Sequence, residues 1–551
     1  MVFLFFLLLG IVVLGKVFWL QISPDPRALE IARSYTDRIR EILPVRGKIY
    51  SSDGSLLATS VAEYDLRWDS KAPYDVEEYR SKIDSLCYKL SRFTGRPSDE
   101  FRKIFSNARQ KGARYELIAE NISYEEMQTI KTFPFLKRGP NKSGFFFERH
   151  DVRVRPQGGV ARRTIGTADF TDGDTIKNGI ELAYDSWLSG KKGKQLMEKI
   201  PGGLWRPSGN DYIEEPEEGC DVVATIDAHL QDVAHAALMK QCVQSNAAWG
   251  TVVLMEVETG YVRAIANLKR TSDNGGYEDI ENFAVTHKVE PGSTFKLASL
   301  MACLESGAIN LEDTIATGNG RISFHGVEMT DSNADKGGNG TITVEQVFEK
   351  SSNVGTALAV KKSFGSNPQK FLDYLHQFGL SLELGIDLQG EVKPKIYKTT
   401  RENGWSGLSI TQMAIGYELL QTPLQVLSFY NAIANDGKMM RPQFVQEVRK
   451  NGSVVQRFDP IVIHENFCSD KTIEKARKMM EGVMEEGGTA DWVYKNSSYK
   501  VAGKTGTAWL NEGDGYVHRR YRASFVGYFP ANDPKYSCIV VINNPQGAYY
   551  G

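Results

Sequence analysis

EPGSTFKLASLMACLE (residues 290–305) places Ser293 three positions before Lys296 and continues apolar at Leu297, Leu300, Met301 and Leu304, the spacing of a helix with a buried face. A lysine opening such a helix poses a physical question, because an ammonium is costly to remove from water unless it is paired or loses its proton. Alone, the stretch also reads as an ordinary helix start, with Ser293 near the N-cap and Lys296 turned to solvent, since Ser-x-x-Lys is a short pattern. The surrounding chain has to decide between the two.

On either side of this helix the pattern changes to strands. DVVATIDAHLQDVAHAAL (221–238) reads as strand, turn and helix, and GTVVLMEVETGYVRAIANL (250–268) as two strands about a Thr259-Gly260 turn. Helical stretches, among them 345–362 and 408–435, fill the middle. KVAGKTGTAW (500–509), YRASFVGYFP (521–530) and YSCIVVINN (536–544) return to strands. Strands, then helices, then strands predict an α+β domain with a central antiparallel sheet, beginning at Cys220 and running to residue 551. Acidic, proline-bearing NDYIEEPEEG (210–219) marks its boundary.

The region before it, 23–215, is expected to be a separate domain. RALEIARSYTDRIREIL (27–43) carries apolar residues at Leu29, Ala32, Tyr35, Ile39, Ile42 and Leu43 and predicts an amphipathic juxtamembrane helix. VRGKIYSSDGSLLATS (45–60) is a hairpin about Asp53-Gly54, helical patterns dominate 81–135, and 153–170 and 178–196 are turn-rich. Ahead of all this, VFLFFLLLGIVVLGKVFWLQ (2–21) has one charge, Lys16, near its outer end, and Trp19 where an interfacial aromatic belongs. About 20 such residues span a bilayer. No basic segment precedes the run and no small-x-small cleavage site follows it, so residues 1–22 are expected to be a retained anchor rather than a cleaved signal. Loop charge does not set its orientation, and a short native tail is expected ahead of it.

With 551 residues, 41% of them hydrophobic, the chain has material for two to four packed domains. A formal net charge of −2 gives no nucleic-acid footprint. The six cysteines are far apart and the eight histidines do not join them at metal-ligand spacing, so no metal or other cofactor is expected. The cysteines read as buried hydrophobes or free thiols, with an occasional disulfide left open.

Two further patterns follow Ser293-Thr294-Phe295-Lys296 in order: Ser351-Ser352-Asn353, and Lys504-Thr505-Gly506 with Thr507 after it. Decoys exist. Ser189 to Lys192 is flanked by glycines that disfavour a helix, Ser497 leaves no room for a Ser-x-Asn before Lys504, and Ser272 to Asn274 is out of order. A serine hydroxyl is a weak nucleophile until a base takes its proton. Residues i and i+3 share a helix face, which predicts that Lys296 reaches Ser293. A lysine ordinarily titrates near 10.4, and lowering that to about 8 requires roughly 3 kcal/mol against the ammonium. Burial and a second cation, Lys504, act in that direction. Ser351 is expected to pass the proton to the leaving amine, and Asn353 to hold a peptide group and Lys296. Lys504 is expected to face a substrate carboxylate, with the hydroxyls of Thr505 and Thr507 assisting, Gly506 admitting the substrate backbone, and the N–H groups of Ser293 and Thr507 forming an oxyanion hole.

On these motifs the chain resembles the class B penicillin-binding proteins, the membrane-anchored peptidoglycan D,D-transpeptidases. RGKIYSSDGSLLATS is similar to a family segment in which an aspartate usually stands where Ser51 is. RVRPQGGVARRTIG and NGIELAYDSWLSGKKG are similar to its pedestal motifs, and VVATIDAHLQ, EPGSTFK and QTPLQVLSFYNAIANDGKMMRP to its transpeptidase segments. SSNVG and KTGTA are closer to the division type (FtsI-like) than to the elongation type. The resemblance implies a transmembrane anchor, an elongated α/β pedestal of dimerisation type, and a transpeptidase domain whose antiparallel sheet has helices on both sides and a helical subdomain. It implies a single-pass protein of the bacterial cytoplasmic (inner) membrane, with its catalytic domain in the periplasm or extracytoplasmic space. Its implied reaction cross-links stem peptides, a D-Ala-D-Ala donor and an amine acceptor, through acyl-Ser293. It implies acylation by β-lactams, and partnership with an FtsW-like glycosyltransferase and divisome membrane proteins in septal wall synthesis. The family also normally continues past NNPQGAYYG into a closing helix, so the transpeptidase domain is expected to be truncated at Gly551.

Other readings stay open on sequence. An elongation-type transpeptidase shares these elements, and a D,D-carboxypeptidase uses the same residues but gives the acyl group to water. A β-lactamase or sensor shares Ser-x-x-Lys without needing the pedestal segments, and a non-catalytic scaffold needs only the pedestal.

Overall fold

The computed structural model describes residues 2–22, 37–169, 175–176, 178–200, 204–271, 276–396, 404–494, 499–511 and 516–546. The chain divides into two units, Met1–Gly47 with Ser186–Cys220, and Lys48–Asp185 with Asp221–Gly551.

The first unit opens with a helix, Val2–Ile22. Phe3, Leu4, Phe5, Phe6, Leu14 and Phe18 are among its exposed apolar side chains, and Lys16 Nζ lies 4.4 Å from the ring centroid of Trp19. Its described side chains run only from Phe3 to Trp19, and among the described residues no helix is long and apolar enough to cross a membrane. Residues Asp37–Ile42, expected at the end of a juxtamembrane helix, instead form a strand that pairs antiparallel with Gly193–Ile200, which pairs in turn with Leu204–Glu214. The ladder satisfies the backbone of these residues and sets Ile39 opposite Leu196. The rest of that expected helix, 27–36, lies outside the described residues.

In the second unit, β1 (Ile49–Tyr50) and β2 (Leu56–Trp68) form the expected hairpin, with Gly54 at φ +86° in its turn. Helices α1 (Val76–Thr94) and α2 (Ser98–Lys111) follow, then β3 (Glu116–Ile122) and β4 (Phe145–Val154), which flank β2 on its two sides. The helical reading of 81–135 therefore breaks at β3, where pairing with β2 overrides local pattern. The core here is aromatic. Trp68 stacks on Tyr79 at 5.7 Å, meets Phe105 edge-on at 5.1 Å, and donates its indole N–H to Ser143 O at 3.0 Å. Trp68→Ala is expected to cost about 3–5 kcal/mol, read as a fall in the denaturant midpoint of unfolding.

The remainder carries the second sheet. β5 (Asp221–Ala224) runs parallel to β1, and α3 (Ala228–Ser245) follows with Asp227 as its N-cap. Strands β6 (Trp249–Glu256), β7 (Val262–Arg270) and β8 (Tyr277–Glu278) precede helix α4 (Lys296–Glu305). Then come β9 (Val327–Thr330), α5 (Val344–Glu349), α6 (Asn353–Phe364), α7 (Pro423–Ala434) and α8 (Asp470–Gly482). Strands β10 (Ala502–Asn511), β11 (Tyr516–Phe529) and β12 (Tyr536–Asn543) complete an antiparallel sheet of order β8-β7-β6-β12-β11-β10. Leu238 and Cys242 of α3 cover one face, against Val252, Ala266 and Ile542. Asn431 of α7 covers the other, accepting from Ser537 Oγ at 2.6 Å. This is the α+β domain read from sequence. All six cysteines are free thiols.

Every residue of α4 from Lys296 to Leu304 is buried. A helix apolar on all sides belongs in the middle of a domain, and that is where this one lies. Its far end is tied down by Glu305, whose carboxylate accepts from Ser469 N at 3.1 Å, from Ser469 Oγ at 2.7 Å and from Thr472 Oγ1, at the N-terminus of α8. A carboxylate is favoured there by the unpaired N–H groups of the first helical turn.

Candidate active site

Ser293 sits in a 3₁₀ turn, Gly292–Phe295, that feeds directly into α4. The turn presses on the edge strand β10, and Gly292 makes that possible. Its φ is +58°, and a Cβ there would lie 2.9 Å from Ala508 Cβ and 3.2 Å from Thr507 O. Thr294 Oγ1 donates to Pro291 O at 2.9 Å, while the fully buried Tyr430 of α7 donates its hydroxyl to Thr294 O at 2.7 Å. Tyr430→Phe leaves that carbonyl without its donor, so a loss of about 1–3 kcal/mol in unfolding free energy is expected.

Lys296 is wholly buried, which removes the ordinary reading of an outward-facing lysine. Its ammonium does not bond Ser293. It donates to Ser351 O at 2.6 Å and Ser351 Oγ at 3.2 Å, so in the resting site Ser351 is its partner, and Ser293 Oγ has no hydrogen bond among the described residues. The reason is backbone geometry. Ser351 lies between α5 and α6 with φ +54°, a left-handed conformation uncommon for a residue with a Cβ, and its carbonyl oxygen receives Lys296.

Asn353, the first residue of α6, donates its amide to Thr330 O at 2.8 Å. That bond, not one to Lys296, is what it makes at rest. Ser352 caps the helix by accepting from Gly355 N at 2.9 Å and donates to Asp331 Oδ2 at 2.7 Å; Asp331 Oδ1 accepts from Val354 N at 3.0 Å.

Lys504 comes from β10. In a strand successive side chains alternate: Lys504, Gly506, Ala508 and Leu510 are buried, while Thr505, Thr507 and Trp509 are part-exposed. Lys504 Nζ donates to Thr505 O at 3.0 Å and lies 5.5 Å from the ring centroid of Phe348 on α5. It is 0% exposed, so the expected open face toward a carboxylate belongs instead to Thr505 and Thr507. Thr505 Oγ1 shares a 2.9 Å hydrogen bond with Thr489 Oγ1. At Gly506 a Cβ would meet Ser524 Oγ and lie 2.9 Å from Thr294 Cγ2, so its smallness lets the nucleophile's turn dock on the strand.

Burial pushes the acidity of both lysines in one direction. Desolvation pulls Lys296 down to about 7, opposed by the carboxylate of Asp331. Lys504 is pulled well below the ordinary lysine value by burial and then by the charge of Lys296. The repulsion is mutual, so the pair resists carrying two protons at once.

The site therefore holds Ser293, Lys296, Ser351, Asn353, Lys504, Thr505, Gly506 and Thr507 on converging elements, and adds Asp331, Thr489 and Tyr430. Ser189 of the first decoy precedes Gly190 at φ +66° and opens no helix. Ser497 and Ser272 to Asn274 lie outside the described residues. The sequence signal for Thr489 was its place in a Gly-Gly-Thr turn before the Lys-Thr-Gly strand; Tyr430 and Asp331 carried none.

Residues 250–551 match the family model of the penicillin binding protein transpeptidase domain, and residues 41–224 that of the penicillin-binding protein dimerisation domain. The chain belongs to the penicillin-binding protein transpeptidase family. Among curated relatives, the peptidoglycan D,D-transpeptidase FtsI of Escherichia coli K12 is 28% identical, over 98% of this chain and 86% of that one. The probable peptidoglycan D,D-transpeptidase PenA of Neisseria gonorrhoeae is 26% identical, over 93% of this chain and 82% of that one. Among solved structures, penicillin-binding protein 2X of Streptococcus thermophilus superposes with a TM-score of 0.76 at 22% identity, covering 92% of this chain and 77% of that one. Penicillin-binding protein 3 of Mycobacterium tuberculosis, in complex with aztreonam, gives 0.64 at 24% identity, covering 92% and 91%. Both share the two-domain penicillin-binding protein fold.

Proposed function

We propose that this peptidoglycan D,D-transpeptidase uses Ser293 as its nucleophile and Lys296, Ser351 and Lys504 as its proton machinery. The observation that carries the reading is a pair of wholly buried lysines, Lys296 of α4 bonded to a serine corner held in a left-handed conformation and Lys504 of β10 near enough to feel its charge. Ser293 Oγ attacks the carbonyl between the two D-alanines of a stem peptide, and its proton goes to unprotonated Lys296. The carbon–nitrogen bond breaks, and the departing D-alanine takes a proton through Ser351, which touches Lys296. An amine of a second stem then attacks acyl-Ser293, forming the cross-link and restoring the serine. Thr505 and Thr507 hold the substrate carboxylate above Lys504, Asn353 holds a peptide group of the donor, and the N–H groups of Ser293 and Thr507 stabilise the oxyanion. β-Lactams enter as donor mimics and stop at the acyl-enzyme.

The helix Val2–Ile22, whose described side chains are apolar except for Lys16, serves in this reading as a single membrane anchor, with the transpeptidase domain outside the cytoplasmic membrane. Anchor and pedestal together take an FtsW-like glycosyltransferase and other divisome membrane proteins, placing the enzyme in septal synthesis. The experiment is product analysis by mass spectrometry with stem-peptide donor and acceptor. A cross-linked dimer is the expected product, whereas free D-alanine with no dimer would convert the reading to a carboxypeptidase.

A further inference from the structure

Beside the two lysines lies a third charged group that no part of the proposed chemistry consumes. Asp331 follows β9, is 5% exposed, and spends both carboxylate oxygens on the start of α6: Oδ2 accepts from Ser352 Oγ at 2.7 Å and Oδ1 from Val354 N at 3.0 Å. The residue just before this clamp is Ser351, with φ +54° and its carbonyl 2.6 Å from Lys296 Nζ. The residue just after Ser352 is Asn353, bonded to Thr330 O, the residue preceding Asp331. One two-residue segment, Thr330-Asp331, thus grips Ser352, Asn353 and Val354, the three residues that follow Ser351.

We infer that Asp331 is a positioning residue for acylation: its carboxylate locks the strained Ser351 corner against Lys296 and acts through space on the Lys296 charge.

The left-handed serine is strained and persists only if its surroundings impose it. Burying a carboxylate is itself costly unless hydrogen bonds answer it, so Asp331 is there for what it holds. Asp331 favours the Lys296 proton, against the burial that opposes it, and the Lys296 charge in turn acts on Lys504 of β10. Ser351 bonds Lys296 without charge. The inference rests on the acylation chemistry proposed above, and wild-type labelling by penicillin separates the two: a wild-type chain that takes no label removes that chemistry, while the variants below address Asp331 alone.

The test measures the second-order rate of penicillin acylation against pH for the full chain. Asp331→Asn keeps the shape and removes the charge. Lys296 then loses its proton more easily, so the acid limb of the profile is expected to move to lower pH. The plateau is expected to fall roughly tenfold, because one amide oxygen replaces two carboxylate acceptors and the corner loosens. Ser352→Ala cuts one arm of the clamp and leaves the charge, so the plateau falls and the acid limb stays. An Asp331→Asn limb that does not move, with circular dichroism unchanged, overturns the electrostatic half; a plateau unchanged in both variants overturns the clamp. Should Asp331→Asn fail to fold, Asp331→Glu, which keeps the charge and misplaces it, decides with Ser352→Ala: full plateaus in both overturn the inference.

Discussion

Ser293→Ala is expected to abolish covalent labelling by a fluorescent penicillin, with acylation falling by about six orders of magnitude, the scale on which removing a nucleophile acts when the other groups cannot substitute for it. No other serine in the described site has the same surroundings. Ser293 opens a buried helix, presses on the edge strand carrying Thr507, and lies one helical turn from an amine whose proton is loosely held. Ser351 Oγ already serves Lys296 at 3.2 Å, and Ser352 Oγ is spent on Asp331. Labelling is followed by in-gel fluorescence, with Ser497→Ala alongside as the control expected to label fully. A label that survives Ser293→Ala and vanishes with Ser497→Ala would move the nucleophile to the later serine and undo the proposed chemistry.

Lys296→Met is the second large effect, and it acts in two directions. Acylation should fall to the level of Ser293→Ala, since no base then receives the hydroxyl proton. Stability should rise. In the folded chain Lys296 is drawn down to about 7 from the ordinary 10.5, so between those values the unfolded chain binds a proton the folded one lacks. Stability then increases with pH across that window, and at pH 7 the folded state carries the cost of the missing proton, several kcal/mol by linkage. Methionine fills the same space without the cost, so a gain in the urea midpoint at pH 7 that shrinks toward pH 10 is expected, and an unchanged midpoint at all pH values would show that Lys296 is not destabilised. The same titration predicts that wild-type acylation rises with pH through about 7. Stability surrendered at a working site is a general pattern.

Much of this was legible because it rests on order and periodicity. Three short motifs occur in one order with one workable spacing, and the alternation of β10 and the apolar run of α4 follow from their residues. The physics of charge was legible in part: burial lowers Lys296 as expected, whereas the repulsion between the two lysines falls on Lys504. What sequence reading missed depends on tertiary pairing. Asp37–Ile42 joined a sheet because strands far along the chain offered it a ladder, and β3 interrupted a helical pattern for the same reason. The bond from Lys296 to Ser351 rather than Ser293 depends on one left-handed residue, and a serine gives no local sign of that. The packing of Gly506 against Thr294 and Ser524 likewise depends on tertiary neighbours that the residue type does not name.

Glu305 shows what holding the nucleophile's helix demands. The strand at one end of α4 and the carboxylate grip at the other, on Ser469 and Thr472, leave the rod no free terminus about which to swing. Substrate must accordingly be met by small adjustments of side chains, with the backbone beneath Ser293 behaving as a fixed anvil.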